Sequence, residues 1–239
     1  MSFKKNKYSV IKGAISEELA KFCYDYFMMK RQVARTMFDT KYISQFTEYF
    51  GVWNDQQVPE TYSHYSDIVM ETLLVKLLPV MEKETGLKLN TNYSYARIYK
   101  KGDVLHRHKD RFSCEISTTM HLGGGCWPIY LEPDASQGGV DEKTGNYKPS
   151  KAKGVKVMLE PGDMLVYRGN ELEHWREKLT FDDCGQVFLH YNNIETKGSK
   201  ENIYDRRPHL GLPAWFKKWY KISFIEVLCQ LINYNLDQE

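Results

Sequence analysis

The spacing of apolar residues changes character twice along the chain, and the changes divide it. Tyr8 to Ile11 reads as a short strand. Beyond it, Leu19, Phe22, Cys23, Tyr26 and Phe27 recur at helical spacing behind Ser16, which suits an N-cap, and Glu17 and Glu18, which suit a first helical turn. This predicts an amphipathic helix from Ser16 into the Lys30–Arg31 region. Ile68, Met70, Leu73, Leu74, Leu77, Leu78 and Met81 predict a second, buried helix, with Pro79 as a kink and Gly86 as its stop. The stretch between them, with Trp53, Asn54, Asp55 and Pro59, reads as loop. From residue 91 the pattern becomes short aromatic and β-branched runs between turn residues: 93–99, 104–110, 115–122, 126–131, 154–159, 164–168, 172–176 and 185–192. Such a series predicts an all-β barrel or double-sheet jelly roll. Glu160-Pro161-Gly162-Asp163 carries the Pro-Gly pair of a type II turn between two strands. The polar stretch 133–153, with Gly138, Gly139, Gly145 and Pro149, reads as a solvated excursion from a hairpin or as a mobile lid near a site. Residues 195–213 read as loop. Residues 214–236 return to helical spacing, with Trp215, Phe216, Trp219, Ile222, Phe224, Ile225, Leu228 and Leu231 as a stripe packed on the core.

Composition narrows the function classes. With 239 residues, 42% of them hydrophobic, the chain can bury a substantial core. Its 33 basic and 31 acidic residues nearly cancel, to a formal +2, which argues against strong general affinity for nucleic acid or anionic membrane. The five cysteines, Cys23, Cys114, Cys126, Cys184 and Cys229, are scattered without a C-x-x-C pair and read as reduced thiols of a cytoplasmic protein. The N-terminal residues lack the apolar run of a signal peptide. The apolar stretch from Phe224 to Ile232 is interrupted by Glu226 and Gln230, so no membrane anchor is expected.

The chemistry concentrates in His108, Asp110 and His174. In a strand, residues i and i+2 project from one face, so His108 and Asp110 can approach one metal with Lys109 turned away. Two histidines and one carboxylate can bind Fe(II) on one face and leave positions open for substrates and dioxygen. The tripeptide alone is weak evidence, since a surface histidine near an aspartate is usually just solvated.

The surrounding residues add more. The segment from Tyr95 through Tyr99, Gly102, His108 and Asp110 resembles the Tyr-x-x-Gly-x-x-x-x-x-His-x-Asp pattern of prolyl 4-hydroxylase-like, iron- and 2-oxoglutarate-dependent dioxygenases. The segment from Leu159 through Pro161 and Gly162 to His174 is similar to that family's approach to its distal histidine. The resemblance covers roughly 8–193. It implies an α+β, mainly β fold: a double-stranded β-helix (jelly-roll) barrel core with N-terminal supporting helices and a C-terminal helix. One domain over 1–239 is expected, with helical support at 1–90, the jelly-roll core at 91–193 and a C-terminal loop and helix at 194–239.

The resemblance implies His108, Asp110 and His174 as metal ligands, with no catalytic side chain beyond them. It also implies a hydroxyl from Tyr99 toward 2-oxoglutarate. One element is missing: the family places a lysine or arginine at the start of the last barrel strand to pair with the far carboxylate of 2-oxoglutarate. Here that window holds Asp183, Cys184, Gly185 and Gln186. A buried dicarboxylate without a cation is costly. Arg176, in strand phase with His174, is the expected substitute, with Arg97 second and Gln186 as a neutral donor. Alternatively, either arginine makes an ordinary ion pair, such as Arg176 with Glu173 or Glu177. His106 shares the parity of His108 but is expected as a neighbour. His121 and His190 are expected within strands, and His64 and His209 in loops, none of the four as a ligand. Asn192, Trp127, Trp175 and Tyr191 are further residues that could shape the pocket.

The reaction implied is hydroxylation of an unactivated carbon, with O2 consumed, 2-oxoglutarate decarboxylated to succinate and CO2, and ascorbate as reductant. A proline-containing peptide or protein is the leading substrate, hydroxylated at the 4-position. The alternatives are a free amino acid or other small molecule, a non-catalytic jelly-roll binding module, and a zinc hydrolase, which would leave the Tyr99 match unexplained.

Overall fold

The computed structural model describes residues 3–44, 47–141 and 143–216. Among these residues three α-helices, α1 (Phe3–Asn6), α2 (Glu17–Asp39) and α3 (Ile68–Thr85), accompany twelve strands. These are β1 (Tyr8–Ile11), β2 (Tyr62–Tyr65), β3 (Leu89–Lys100), β4 (Leu105–His108), β5 (Ile116–Gly124), β6 (Ile129–Leu131), β7 (Gly139–Val140), β8 (Tyr147–Lys148), β9 (Val155–Val157), β10 (Met164–Tyr167), β11 (His174–Arg176) and β12 (Asp183–Asn193). A six-stranded sheet ordered β1-β10-β5-β12-β3-β2 faces a four-stranded sheet ordered β4-β11-β6-β9, and β7 and β8 form a separate hairpin. The pairings are antiparallel, and the two facing sheets make the expected jelly roll.

Strand alternation sorts the large sheet into two faces. Ala96 and Ile98 of β3, Ile116 and Met120 of β5, and Val187, Leu189 and Tyr191 of β12 pack with Phe27 of α2 and Leu74 and Leu77 of α3 in one apolar cluster. The alternate residues, Tyr93, Tyr95, Arg97 and Tyr99 of β3 and Gln186, Phe188 and His190 of β12, point between the sheets. The helices thus support the barrel wall from outside, and the interior is shared by these polar and aromatic groups and a second apolar cluster that includes Ile129, Leu131, Leu165 and Leu172.

Ser16 caps α2, its Oγ accepting from the Leu19 N–H at 3.2 Å. The helix runs past Lys30 and Arg31 to Asp39 because Ala20, Cys23, Phe27 and Ala34 continue its buried stripe. Phe22 lies off that stripe and is exposed. Asp67, not singled out in the sequence, caps α3 by accepting from Val69 and Met70. Gly86 closes α3 in the left-handed conformation, and Pro79 lies inside the helix rather than ending it. Within the expected loop, 62–65 forms β2, an edge strand on β3. Its residues, Tyr-Ser-His-Tyr, are too polar to signal a strand, and His64 is therefore a buried strand residue bonded to Asp67. The Glu160–Asp163 turn is closed by the Asp163 N–H on the Glu160 carbonyl at 2.9 Å. Cys23, Cys114, Cys126 and Cys184 are free thiols. Most of the expected C-terminal helix, and Cys229, lie outside the described residues. Among the described residues no helix is long and apolar enough to cross a membrane.

Candidate metal centre

β4 and β11 pair with His108 opposite His174, so two strands of the small sheet deliver their imidazoles to one point inside the barrel. The ring centroids are 4.2 Å apart. Asp110 lies two residues past the end of β4, its N–H donating to the Gly169 carbonyl at 2.9 Å. Its Oδ1 lies 3.6 Å from Nε2 of each histidine, and the ligand atoms of the three residues are within 4.8 Å of one another.

The histidines are oriented for this meeting. His108 Nδ1 lies 2.7 Å from the His106 carbonyl and His174 Nδ1 lies 3.0 Å from the Leu172 carbonyl. A carbonyl only accepts, so each Nδ1 carries a proton and each Nε2 presents its lone pair to the shared point. Asp110 Oδ2 turns away to the Ser117 hydroxyl at 3.1 Å. A Cβ on Gly169 would come within 2.4 Å of that oxygen, so only glycine lets the backbone pass behind the carboxylate.

The electrostatics favour a cation at this point. Burial, then His174, pushes His108 down to about 4. Burial would raise Asp110, but His174, His108 and His190 together outweigh it and hold the carboxyl well below the usual range. Burial would lower His174, and Asp110 reverses it, so the histidine is raised. Neutral His108 and anionic Asp110 stabilise positive charge between the three groups, and this donor set suits a divalent transition metal.

A cavity of about 340 Å³ opens from the three residues. Its walls include Tyr93, Tyr95, Arg97, Phe188 and His190 of the large sheet, Leu105 and Ile129 of the small one, and Asp55 and Gln57 from the segment before β2. Buried Cys114 also lines it, and burial and Asp110 push its thiol well above the ordinary value, so it is protonated and a poor nucleophile.

The two arginines occupy different settings. Arg97 lines the cavity and donates to the Asp55 carboxylate, to Gln57 at 3.1 Å and to the Tyr99 hydroxyl at 2.9 Å. It is the ordinary buried ion pair. Arg176 lies behind the cavity wall over Trp127, fully buried, and donates to the Trp127 carbonyl, to Thr119 at 3.0 Å and to Gln186 at 3.2 Å. Its Nε is unpaired, and among the described residues it has no carboxylate partner, Glu173 and Glu177 included. Burial lowers its pKa, a cost that a carboxylate beside it would remove. The neighbouring His121 is pushed down to about 4, by burial and then by the Arg176 charge.

Arg176 therefore reaches from the small sheet to Gln186, in the window at the start of the last strand where a cation was expected and is absent. Tyr99 stacks edge-on against Trp127, its hydroxyl accepting from Arg97. Gln186 is committed to Thr119, Arg176, His121 and Cys184. His106 is exposed: a register shift between β4 and β11 puts Leu105 and His108 inside, so the simple parity fails. Trp175 faces outward against Arg107 and Tyr130, Tyr191 faces α3, and Asn192 is buried against Asn92 and Asn202. His190 lines the cavity, bonded to Ser117. Ser117 and Thr119 were missed in the sequence. The signal was partial: Ser117, Thr119 and His121 share one face of β5, with Ile116, Met120 and Leu122 on the other, but Thr118 breaks the apolar alternation.

No family model and no curated protein matches the chain. Its structure is similar to that of SnoN, a non-heme alpha-ketoglutarate-dependent epimerase from nogalamycin biosynthesis, with TM-score 0.57, 13% identity and 80% of each chain covered. It is similar to SnoK, a non-heme alpha-ketoglutarate-dependent carbocyclase from nogalamycin biosynthesis, with TM-score 0.51 and 10% identity over 79% of this chain and 80% of that one. A viral collagen prolyl hydroxylase from Paramecium Bursaria Chlorella virus-1, in complex with 2-oxoglutarate, gives TM-score 0.50 and 10% identity over 80% of this chain and 98% of that one. At such identities the likeness is one of fold. The chain has the jelly-roll fold of prolyl hydroxylases and other iron- and 2-oxoglutarate-dependent oxygenases.

Proposed function

We propose that the chain is an Fe(II)- and 2-oxoglutarate-dependent oxygenase in which His108, Asp110 and His174 hold the metal and Arg176 receives the far carboxylate of 2-oxoglutarate. The observation that carries this reading is the meeting of three ligand atoms, with both histidines turned by backbone carbonyls to present Nε2. Bound Fe(II) supplies the oxidative chemistry, coupling decarboxylation of 2-oxoglutarate to succinate and CO2 with oxidation of an unactivated C–H bond by O2. The protein's part is to bind, orient and exclude water. Ser117 fixes one oxygen of Asp110 and leaves the other for the metal. Arg176 offers a charge already desolvated and lacking an anion, Tyr99 a buried hydroxyl that burial keeps protonated, and Leu105, Ile129 and Phe188 apolar walls. No side chain is required as a nucleophile.

Peptidyl proline is the substrate proposed, following the Tyr99 and His-x-Asp resemblance; the aromatic walls of Tyr93, Tyr95 and Phe188 suit a pyrrolidine ring. The test is succinate formation from 2-oxoglutarate with Fe(II) and ascorbate, with proline-rich peptides, free amino acids or no added substrate. Peptide-dependent succinate with hydroxyproline in the product supports the full reading. Stimulation by free amino acids alone moves the substrate to the small-molecule class, and absence of both metal binding and turnover leaves a binding module.

A further inference from the structure

Each histidine of the centre ends the same tripeptide arrangement. On β4 the His106 carbonyl orients the His108 ring, and Arg107 between them projects to the outer face, where its guanidinium carbon lies 3.4 Å from the centre of the Trp175 ring. Ahead of β11 the Leu172 carbonyl orients the His174 ring, and Glu173 between them also turns outward. Arg107 and Glu173 meet at 3.0 Å, with the Glu173 side chain wholly buried and that of Arg107 23% exposed. One ion pair thus ties together, from behind, the two segments that present the imidazoles.

The same pair is the anchor of the polar excursion. Glu173 accepts from the Ser150 N–H at 2.9 Å, from the Ser150 hydroxyl and from Tyr147 Oη at 3.0 Å. Arg107 donates to Ser150 Oγ at 3.2 Å and to the Ala152 carbonyl at 2.7 Å. The other limb is held by Lys109, the residue between His108 and Asp110, which donates to the carbonyls of Ala135 and Gly138 at 2.8 and 2.9 Å. Gly138 makes the close approach possible: a Cβ there would come within 2.5 Å of Glu173 Oε1 and of Tyr147 Oη. The side chains immediately next to the metal ligands therefore hold the strap 147–152 and the turn 135–138.

We propose that Arg107 and Glu173 are positioning residues that couple the seating of the 147–152 strap to the geometry of His108 and His174. Filling the centre fixes the two imidazoles, hence the carbonyls behind them and the stagger of β4 and β11, and this holds the Arg107–Glu173 pair closed on the strap. Coupling between two sites is reciprocal, so a seated strap favours metal binding as much as metal favours the seated strap. The inference rests on the metal reading above.

The experiment uses Co(II) as probe with wild type, Glu173→Gln, Arg107→Gln and the double variant. Co(II) affinity is read from ligand-field absorbance, and strap seating from initial tryptic cleavage after the exposed Lys151 and Lys153. In wild type, Co(II) is expected to slow cleavage at least about fivefold. Each single variant should bind Co(II) about tenfold more weakly and lose that protection. The double variant, with no unpaired charge, should regain part of the affinity. Equal cleavage of wild type with and without bound Co(II), or wild-type affinity in both single variants, overturns the coupling. Failure of wild type to bind Co(II) overturns the metal reading and this inference with it, a distinguishable outcome. Should the variants fail to fold by circular dichroism, the wild-type comparison decides alone.

Discussion

Two buried arginines, Arg97 and Arg176, face the same barrel interior from opposite sheets, yet their surroundings are opposites. Arg97 lines the cavity and is neutralised by Asp55, which also accepts from Tyr95 at 2.5 Å. Arg176 is more deeply buried and, among the described residues, meets only neutral acceptors. A folded chain does not need a guanidinium placed this way. A polar contact satisfies hydrogen-bonding capacity, but only an anion offsets the desolvation of a full charge. The difference separates a charge neutralised within the fold from one that, on the proposed reading, awaits an anionic ligand.

Stability should show the difference most strongly. Arg97→Met strands the Asp55 carboxylate and is expected to cost about 3–5 kcal/mol in urea denaturation, whereas Arg176→Met is expected to be neutral or stabilising, because it removes an unpaired charge. A large loss in Arg176→Met would mean that its neutral hydrogen bonds stabilise the fold after all. The Asp55 pair also has a pH signature. Burial would raise the Asp55 carboxyl, but Arg97 and Tyr95 outweigh it and lower the pKa. A depressed folded-state pKa gives stability that is present above the ordinary aspartate value of about 3.9 and lost as pH falls through the folded value. Arg97→Met should flatten that acid limb, and Arg176→Met should leave it unchanged.

Turnover should invert the ranking. Losing one partner of a buried charge pair costs about 2 kcal/mol or more, so Arg176→Ala is expected to raise the apparent KM for 2-oxoglutarate about 30-fold or more, beyond the effect of Arg97→Ala. The reverse order would place the cosubstrate carboxylate on Arg97, with Asp55 displaced. Ser117→Ala, which frees one oxygen of Asp110, is expected to weaken metal binding about tenfold in a Co(II) titration. His106→Ala is expected to leave metal affinity within twofold, roughly the experimental scatter of an exposed site. A larger loss would bring His106 into the centre despite its exposure.

Much of this was legible in the sequence where periodicity and chemistry coincide. The eight β runs correspond to β3, β4, β5, β6, β9, β10, β11 and β12, and the His-x-Asp pair does meet the distant histidine, although Asp110 lies beyond the end of β4 and is not placed by strand alternation. What escaped depended on contacts across sheets. Asp55 sits in a loop without periodicity, and only the fold carries it to Arg97. The short polar edge strand β2 carries no apolar alternation. The register shift that turns His106 outward is set by how β4 meets β11, which neither strand encodes alone. The excursion at 133–153 read most simply as a solvated loop, with a lid as the alternative, because its anchors, Arg107 and Glu173, look from sequence like surface charges beside the ligands.

The most direct measurement is an anaerobic calorimetric titration of 2-oxoglutarate into Fe(II)-loaded protein, wild type beside Arg176→Ala. Saturable one-to-one binding that requires the metal and is lost or strongly weakened in the variant is the expected result. Wild-type protein that carries Fe(II) but takes up no 2-oxoglutarate, or a variant that binds it as tightly as wild type, would contradict the assignment.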